Sequence, residues 1–306
     1  MGTQKDVRHF INLPDIPAEM LKGIIKHAHA LKAEKFNPPQ ILEGLSLAMV
    51  FDKRSTRTRM SFEVATKQLG GHTLVMNMDE MQITGAESIE DTGAVLSRYV
   101  DAIMIRMSDH DTMEELAKHT TIPVINGMTD NSHPCQIMAD ILTIEEKIKD
   151  IQGLKIVWFG DYNNVAQTFE QAAPIWDFDL AISTPPDLQP TKTGDNVTYY
   201  EDPKDAAKDA DVIVTDTWVS MGQEGKTIEK FMPYQVNTDL MSRAKDHAIF
   251  MHCMPVHQNE EVTQNVLKSE ACVIYDEAEN RLHVQKAILA WCMAESGVNL
   301  LKPLGF

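Results

Sequence analysis

The sequence predicts an α/β protein of two similar-sized domains, each a parallel sheet flanked by helices. Two observations carry that expectation. At 306 residues the chain exceeds the length usual for one domain, roughly 100–200 residues. Along nearly all of it, short apolar runs alternate with stretches of helical period, the pattern of parallel strands joined by crossover helices.

The elements follow in order. Ala18, Leu21, Ile24, Ile25, Ala28 and Leu31 recur near helical spacing over 17–33, and Asn37-Pro38-Pro39 stops that helix. Residues 45–51 read as a buried strand, followed by a basic, hydroxyl-rich loop, a helix closed by Gly70-Gly71 and an apolar run over 73–78. The unit recurs as helix 87–99, strand 102–106, helix 113–119 and strand 123–126. A long candidate helix over 136–149 separates this series from a second, and the domain boundary is placed on it. Strands are then expected over 154–159, 181–183, 211–215 and 248–253, with a final helix from Val284 to about Glu295. Pro185-Pro186 through Gly194 reads as loop, and no short-period repeat relates the halves.

Composition narrows the function classes. Apolar residues at 43% and charged residues at 24% describe a folded, water-soluble chain. A net charge of −17 opposes nonspecific binding to nucleic acid or an anionic membrane, so any anion site must be a local basic exception. Cys135, Cys253, Cys272 and Cys292 form no CxxC pair, which gives neither a disulfide scaffold nor a zinc spacing and suits the reducing cytoplasm. The N-terminal Met1-Gly2-Thr3-Gln4-Lys5-Asp6 lacks the apolar core of a signal peptide, and Asp6 breaks the myristoylation pattern. No run approaches the ~18 apolar residues of a membrane span.

The basic exception is Phe51-Asp52-Lys53-Arg54-Ser55-Thr56-Arg57-Thr58-Arg59, placed where a strand ends and a helix begins. A helix start offers unpaired N–H groups and a positive dipole end, hydroxyls add donors, and arginine adds a bidentate fork, so together they suit a phosphate. Capping by Ser55 or Thr56 with solvated cations is the simpler account. It leaves unexplained why four cations crowd the helix end whose dipole repels them. His133-Pro134-Cys135-Gln136 precedes the long helix and offers a donor for a carbonyl and an amide able to read an NH2 group. Taken alone, a loop histidine satisfied by backbone at a helix entry is the better account.

Two further motifs close predicted strands in the second series. Asp216-Thr217-Trp218-Val219-Ser220-Met221-Gly222 presents a carboxylate and a hydroxyl at a strand end, where ligands of open α/β sheets bind; an ammonium group suits them as well as a capping Asp does. His252-Cys253-Met254-Pro255 invites a cysteine-nucleophile reading, which strand alternation argues against because adjacent side chains face opposite ways. The remaining readings are a buried structural thiol or one that contacts a substrate amine. Gly160-Asp161-Tyr162-Asn163-Asn164 sits where a dinucleotide fingerprint would, yet it has only the first glycine, so a nicotinamide cofactor is not expected; the paired asparagines suit a small carboxylate.

Together these residues resemble the aspartate and ornithine carbamoyltransferase family over nearly the whole chain. Ser55-Thr56-Arg57-Thr58-Arg59 and His133-Pro134-Cys135-Gln136 are similar to its carbamoyl phosphate motifs, with Arg106 and Arg281 at positions of further ligands. The motifs at 216–222 and 252–255 resemble those of members that use ornithine rather than aspartate. Departures are Met254 where leucine is typical, residues 83–86, a missing arginine within 256–259, and Tyr162 where glycine is frequent, expected to narrow the site beside Asn164.

The resemblance implies a carbamoyl phosphate domain over 1–135, with 284–306 packing back on it, and an ornithine domain over 136–283, joined by two interdomain helices. It implies transfer of the carbamoyl group from carbamoyl phosphate to the δ-amine of L-ornithine, giving citrulline and phosphate without metal or cofactor. Ser55, Thr56, Arg57, Thr58, Gln82, Arg106, His133, Gln136 and Arg281 would bind carbamoyl phosphate, and Asn164, Asp216, Ser220, Met221, Cys253 and Met254 would bind ornithine. Arg106, His133, Cys253 and Asp216 would be catalytic. A homotrimer is implied, Gln82 reaching a neighbour's phosphate, with no nucleic-acid or membrane partner. Another amine such as putrescine as acceptor, or a noncatalytic carbamoyl phosphate sensor, are the rival readings.

Overall fold

A computed structural model describes residues 7–81, 87–190, 194–219 and 228–293. The chain divides into two compact units, residues 1–138 with 281–306 and residues 139–280. It passes from one to the other within a helix each time.

In the first unit, α1 (Ala18–Ala33) precedes β1 (Ser46–Phe51), α2 (Thr56–Gln68), β2 (His72–Asn77), α3 (Ile89–Tyr99), β3 (Ala102–Arg106), α4 (His110–Lys118), β4 (Val124–Met128) and the start of α5 (Pro134–Ile148). All pairings are parallel and the strand order is β2-β1-β3-β4. β1 and β3 are buried almost throughout, which is why they read as continuous apolar runs, while edge strand β2 is half exposed. Ala48, Val50, Ile103, Ile105 and Val124 on one sheet face pack with Leu96, Met113 and Leu116 of α3 and α4.

The second unit continues with β5 (Lys155–Phe159), α6 (Asn164–Trp176), β6 (Asp179–Ser183), β7 (Val197–Tyr199), α7 (Pro203–Ala207), β8 (Val212–Thr215), α8 (Thr238–Met241), β9 (Ile249–His252), α9 (Gln264–Leu267) and α10 (Ile274–Met293). Its sheet is also parallel, ordered β7-β6-β5-β8-β9. Val157, Phe159, Ile213 and Phe250 form its core with Ala206, Leu240 and Val266.

Two elements differ from the sequence expectation. β7 is a three-residue edge strand inside a polar stretch, too short to leave a period. α10 begins at Ile274 rather than Val284, because its first turns bury the polar Glu277, Asn280 and Arg281 and so hide the apolar stripe. Its far end returns to the first unit, where Trp291 meets Phe10 edge-on with ring centroids 6.3 Å apart. Among the described residues, no helix is long and apolar enough to cross a membrane.

Candidate active site

In each sheet the strand order reverses beside the first strand of the unit, between β1 and β3 and between β5 and β8. The loops leaving the carboxyl ends of such neighbours diverge to opposite faces and open a crevice for a ligand. The basic motif from Phe51 and the motif from Asp216 follow β1 and β8, while those at His133 and His252 follow the adjacent strands β4 and β9.

In the first unit, β1 delivers the chain into the basic loop. The Asp52 N–H donates to the Arg106 carbonyl (3.0 Å) and the Asp52 carboxylate accepts the Ser108 N–H (2.6 Å), which pins this loop to the end of β3. Ser55 is the N-cap of α2, yet its side chain makes no capping bond. Capping therefore does not account for this hydroxyl. Thr56 opens the helix, whose first turn has no acidic residue to complement the dipole. Arg57 is half-buried and has no ion pair among the described residues, whereas the exposed Arg59 lies 3.8 Å from Glu63.

Thr58 is the hub. Its buried hydroxyl accepts from Arg106 Nη1 at 3.1 Å and from Arg281 Nη2 at 2.7 Å, and Arg281 Nη1 donates to Gln136 Oε1 at 2.9 Å. With both lone pairs used, the Thr58 O–H remains to donate, and two guanidinium groups converge on the same oxygen. The β3–β4 register shifts between Ile105 and Arg106, leaving Gly127 of β4 as the extra residue opposite the end of β3.

His133 is buried beside these arginines and starts α5, its carbonyl accepting the Gln136 and Ile137 N–H groups at 3.0 and 3.2 Å. Burial, then the Arg281 and Arg106 charges, hold its imidazole well below the ordinary histidine value, so it is neutral at physiological pH. Cys135 faces inward instead, its Sγ donating to the Asn126 carbonyl at 3.3 Å and its thiol pushed up to about 12 by burial.

In the second unit, the ends of β5, β8 and β9 meet at Asp216. Asn163 Nδ2 donates to Asp216 Oδ2 at 2.8 Å and Cys253 Sγ to Asp216 Oδ1 at 3.0 Å. Asn163 also caps α6, its Oδ1 accepting the Val165 and Ala166 N–H groups, which places Asn164 at the first helical position. Gly160 permits this turn: its φ is +107°, and a Cβ there would stand 2.6 Å from the Trp218 indole nitrogen. Burial, then the Asp216, Glu277 and Asp140 carboxylates, raise the Cys253 thiol well above its ordinary value, so it is a neutral donor.

The strand-alternation argument about His252 and Cys253 requires correction. Cys253 lies beyond the end of β9, and ligand-type atoms of Asp216, His252 and Cys253 come within 4.8 Å of one another. What keeps His252 from activating the thiol is its bonding: Nδ1 accepts the Met254 N–H at 2.9 Å and Nε2 donates to the buried Glu261 at 3.0 Å. Met254 itself has a left-handed backbone, φ 62°. These contacts also engage the atoms a metal would need.

The structure thus gathers Thr58, Arg106, His133, Gln136 and Arg281 in one unit, and Asn164, Asp216, Cys253 and Met254 in the other. Gln82, Ser220 and Met221 lie outside the described residues. Sequence reading paired Asn163 with Asn164 for a small carboxylate and missed that Asn163 caps α6 and bonds Asp216, although an asparagine followed by a helix start is a capping signal. It also missed Glu261 and Glu277, buried carboxylates in polar stretches without a motif.

Two doubly wound domains, each gathering polar side chains where the strand order of its own sheet reverses, define a two-domain α/β protein. The carbamoyl-P binding domain model of aspartate/ornithine carbamoyltransferases matches residues 8–146, and the Asp/Orn binding domain model matches residues 152–292. The chain is 48% identical to ornithine carbamoyltransferase of Brucella ovis, over 97% of its own length and 99% of that protein's. Among solved structures, ornithine carbamoyltransferase from Pyrococcus furiosus is 46% identical with a TM-score of 0.88, covering 94% of this chain and 97% of that one. That from Burkholderia thailandensis is 39% identical with a TM-score of 0.87, covering 94% and 99%. The chain belongs to the aspartate/ornithine carbamoyltransferase family.

Proposed function

We propose that the protein transfers the carbamoyl group of carbamoyl phosphate to the δ-amine of L-ornithine, giving citrulline and phosphate. The observation that carries this reading is the convergence of two guanidinium groups on the Thr58 hydroxyl at a helix start, beside a neutral histidine, in a chain of net charge −17. The identity to ornithine carbamoyltransferases over nearly full length supports ornithine as acceptor.

Ser55, Thr56, Thr58 and Arg57 hold the phosphate, so charge growing on the leaving group meets donors already in place. Gln82 adds a contact from a neighbouring subunit. Thr58, Arg106, Arg281 and neutral His133 grip the carbonyl oxygen as it becomes an oxyanion, and Gln136 reads the carbamoyl NH2. Asp216 and Ser220 hold the α-ammonium of ornithine, while Asn164 and the Met221 N–H hold its carboxylate. Cys253, a neutral thiol, and the Met254 carbonyl face the δ-amine, which attacks in its uncharged form; the C–N bond forms as the C–O bond to phosphate breaks. Metal and redox cofactor have no step to perform in this sequence.

The protein acts as a homotrimer in the cytoplasm, in arginine metabolism. The edge position of half-exposed β2 and the exposed Met60, Leu74, Val95 and Tyr99 on the same unit support self-association, and four unpaired cysteines support a reducing compartment. A citrulline assay offering ornithine, putrescine, aspartate and N-acetylornithine side by side tests the activity. Turnover with ornithine alone is expected; turnover with putrescine, or phosphate release with none, overturns the assignment. Sedimentation velocity tests the trimer.

A further inference from the structure

The second unit holds a polar cluster that the reaction above does not use. The Tyr162 hydroxyl donates to Glu170 Oε2 and the Tyr199 hydroxyl donates to Glu170 Oε1 at 2.7 Å, with the two rings tilted at 60° and 6.5 Å apart. Both oxygens of one carboxylate are therefore taken by phenols. Burial, then the hydrogen bond to Glu170 and its charge, raise both phenols above their ordinary value, so they stay protonated donors.

The cluster bears on the neighbouring residue. Glu170 lies in α6, whose N-cap is Asn163, the residue next to Tyr162. The backbone from Tyr162 through Asn163 into α6 and the side-chain bond from Glu170 back to Tyr162 close a ring. Inside it the Asn163 amide has one permitted orientation: Oδ1 is committed to the Val165 and Ala166 N–H groups, so Nδ2 points away from the helix and reaches Asp216 at 2.8 Å. That bond occupies Oδ2 and leaves Oδ1 of Asp216 to the Cys253 thiol.

We propose that Tyr162 is a positioning residue for the amino-acid half of the site: its bond to Glu170 fixes the 160–164 turn and so holds Asn163 against Asp216. The inference rests on the reading of Asp216 as a ligand of ornithine. It assigns a purpose to the tyrosine that departs from the family pattern. With its hydroxyl committed to Glu170, Tyr162 acts through the turn rather than by touching substrate. Tyr199 shares the carboxylate but belongs to the end of β7, outside the ring, so its loss leaves the Tyr162–Glu170 bond in place.

Tyr162→Phe, Tyr199→Phe and Asp216→Asn, compared with the unaltered protein in steady-state kinetics with either substrate varied at saturation of the other, test this. Tyr162→Phe is expected to raise KM for ornithine about 3–10-fold, the size of one neutral hydrogen bond, with KM for carbamoyl phosphate held within about twofold. Tyr199→Phe is expected to leave both near their original values. Equal effects of the two phenylalanine variants, or a rise in both KM values with a matching fall in melting temperature, would mark a purely structural cluster and overturn the proposal. If Asp216→Asn raises KM for ornithine and Tyr162→Phe does not, the positioning role is wrong while the substrate reading stands. If Asp216→Asn leaves it unchanged, both fail.

Discussion

Thr58 and Arg281, 223 positions apart in the chain, are joined by a hydrogen bond of 2.7 Å. The bond ties the first turn of α2 to the middle of α10, and through Arg281 to Gln136 at the start of α5. Thr58→Val keeps the volume and removes the shared acceptor, leaving the buried Arg281 and the half-buried Arg106 each one partner short. Turnover should fall by roughly 10²–10³, the loss seen when one preorganised donor is removed from an oxyanion site. A rate-of-citrulline assay at saturating substrates measures it, and a loss below about tenfold contradicts the hub role.

The two units should separate kinetically. Asp216→Ala is expected to damage ornithine binding chiefly, and Arg57→Ala carbamoyl phosphate binding chiefly. Varying each substrate in turn checks both, and interchanged effects would overturn the assignment of ligands to units.

Cys253 should behave as a thiol rather than a thiolate. Its raised titration point leaves it protonated at neutral pH, and alkylation proceeds through the thiolate. Iodoacetamide at neutral pH, followed by peptide mass analysis, should label Cys253 more slowly than a free cysteine, with labelling increasing only in alkali. Rapid labelling at neutral pH would show an activated nucleophile, contrary to the bonding around His252.

His133 gives a pH dependence of definite sign. Its folded-state value lies well below the free value of 6.5, so below pH 6.5 the unfolded chain takes up a proton that the folded chain refuses. The stability this neutral histidine carries is complete above 6.5 and is lost as pH falls toward the folded value, by up to about 1.4 kcal/mol per pH unit. Urea unfolding across that window should show a flatter acid limb for His133→Asn than for the unaltered protein. Parallel limbs would mean that His133 is not buried as a neutral group.

Gly160→Ala tests the turn at the end of β5. At φ +107°, with the Trp218 indole in the way of a Cβ, the change should cost about 1–3 kcal/mol of stability. Because the same turn carries Asn163, KM for ornithine should rise as well. Thermal melts together with kinetics check both effects.

Much of the architecture was legible because buried parallel strands announce themselves. β1, β3, β5 and β9 are short apolar runs with Gly, Pro or charge at their borders, and each was expected within a few residues of its observed limits. β7 and the first half of α10 were not legible. The former is too short to show a period, and the latter buries polar groups whose partners lie far away in sequence, such as Glu277 accepting the His252 N–H at 2.8 Å. Within the site, Ser55, Thr58, His133 and Asp216 stood out because unusual residue types cluster at strand ends. Glu170 and Glu261 carried no such mark.

The amino-acid order alone determined the alternation of strand and helix, the division into two α/β halves, and the basic helix start that an acidic chain sets aside for an anion. These follow from local terms: apolar period, helix dipole and backbone freedom at glycine. Only tertiary structure decided that Arg106 and Arg281 share one hydroxyl, that Cys253 rather than His252 bonds Asp216, and that Tyr162 turns to Glu170. Such pairings depend on which strand ends the sheet order brings side by side, and on burial strong enough to hold a histidine neutral and a thiol protonated; both are properties of the packed chain.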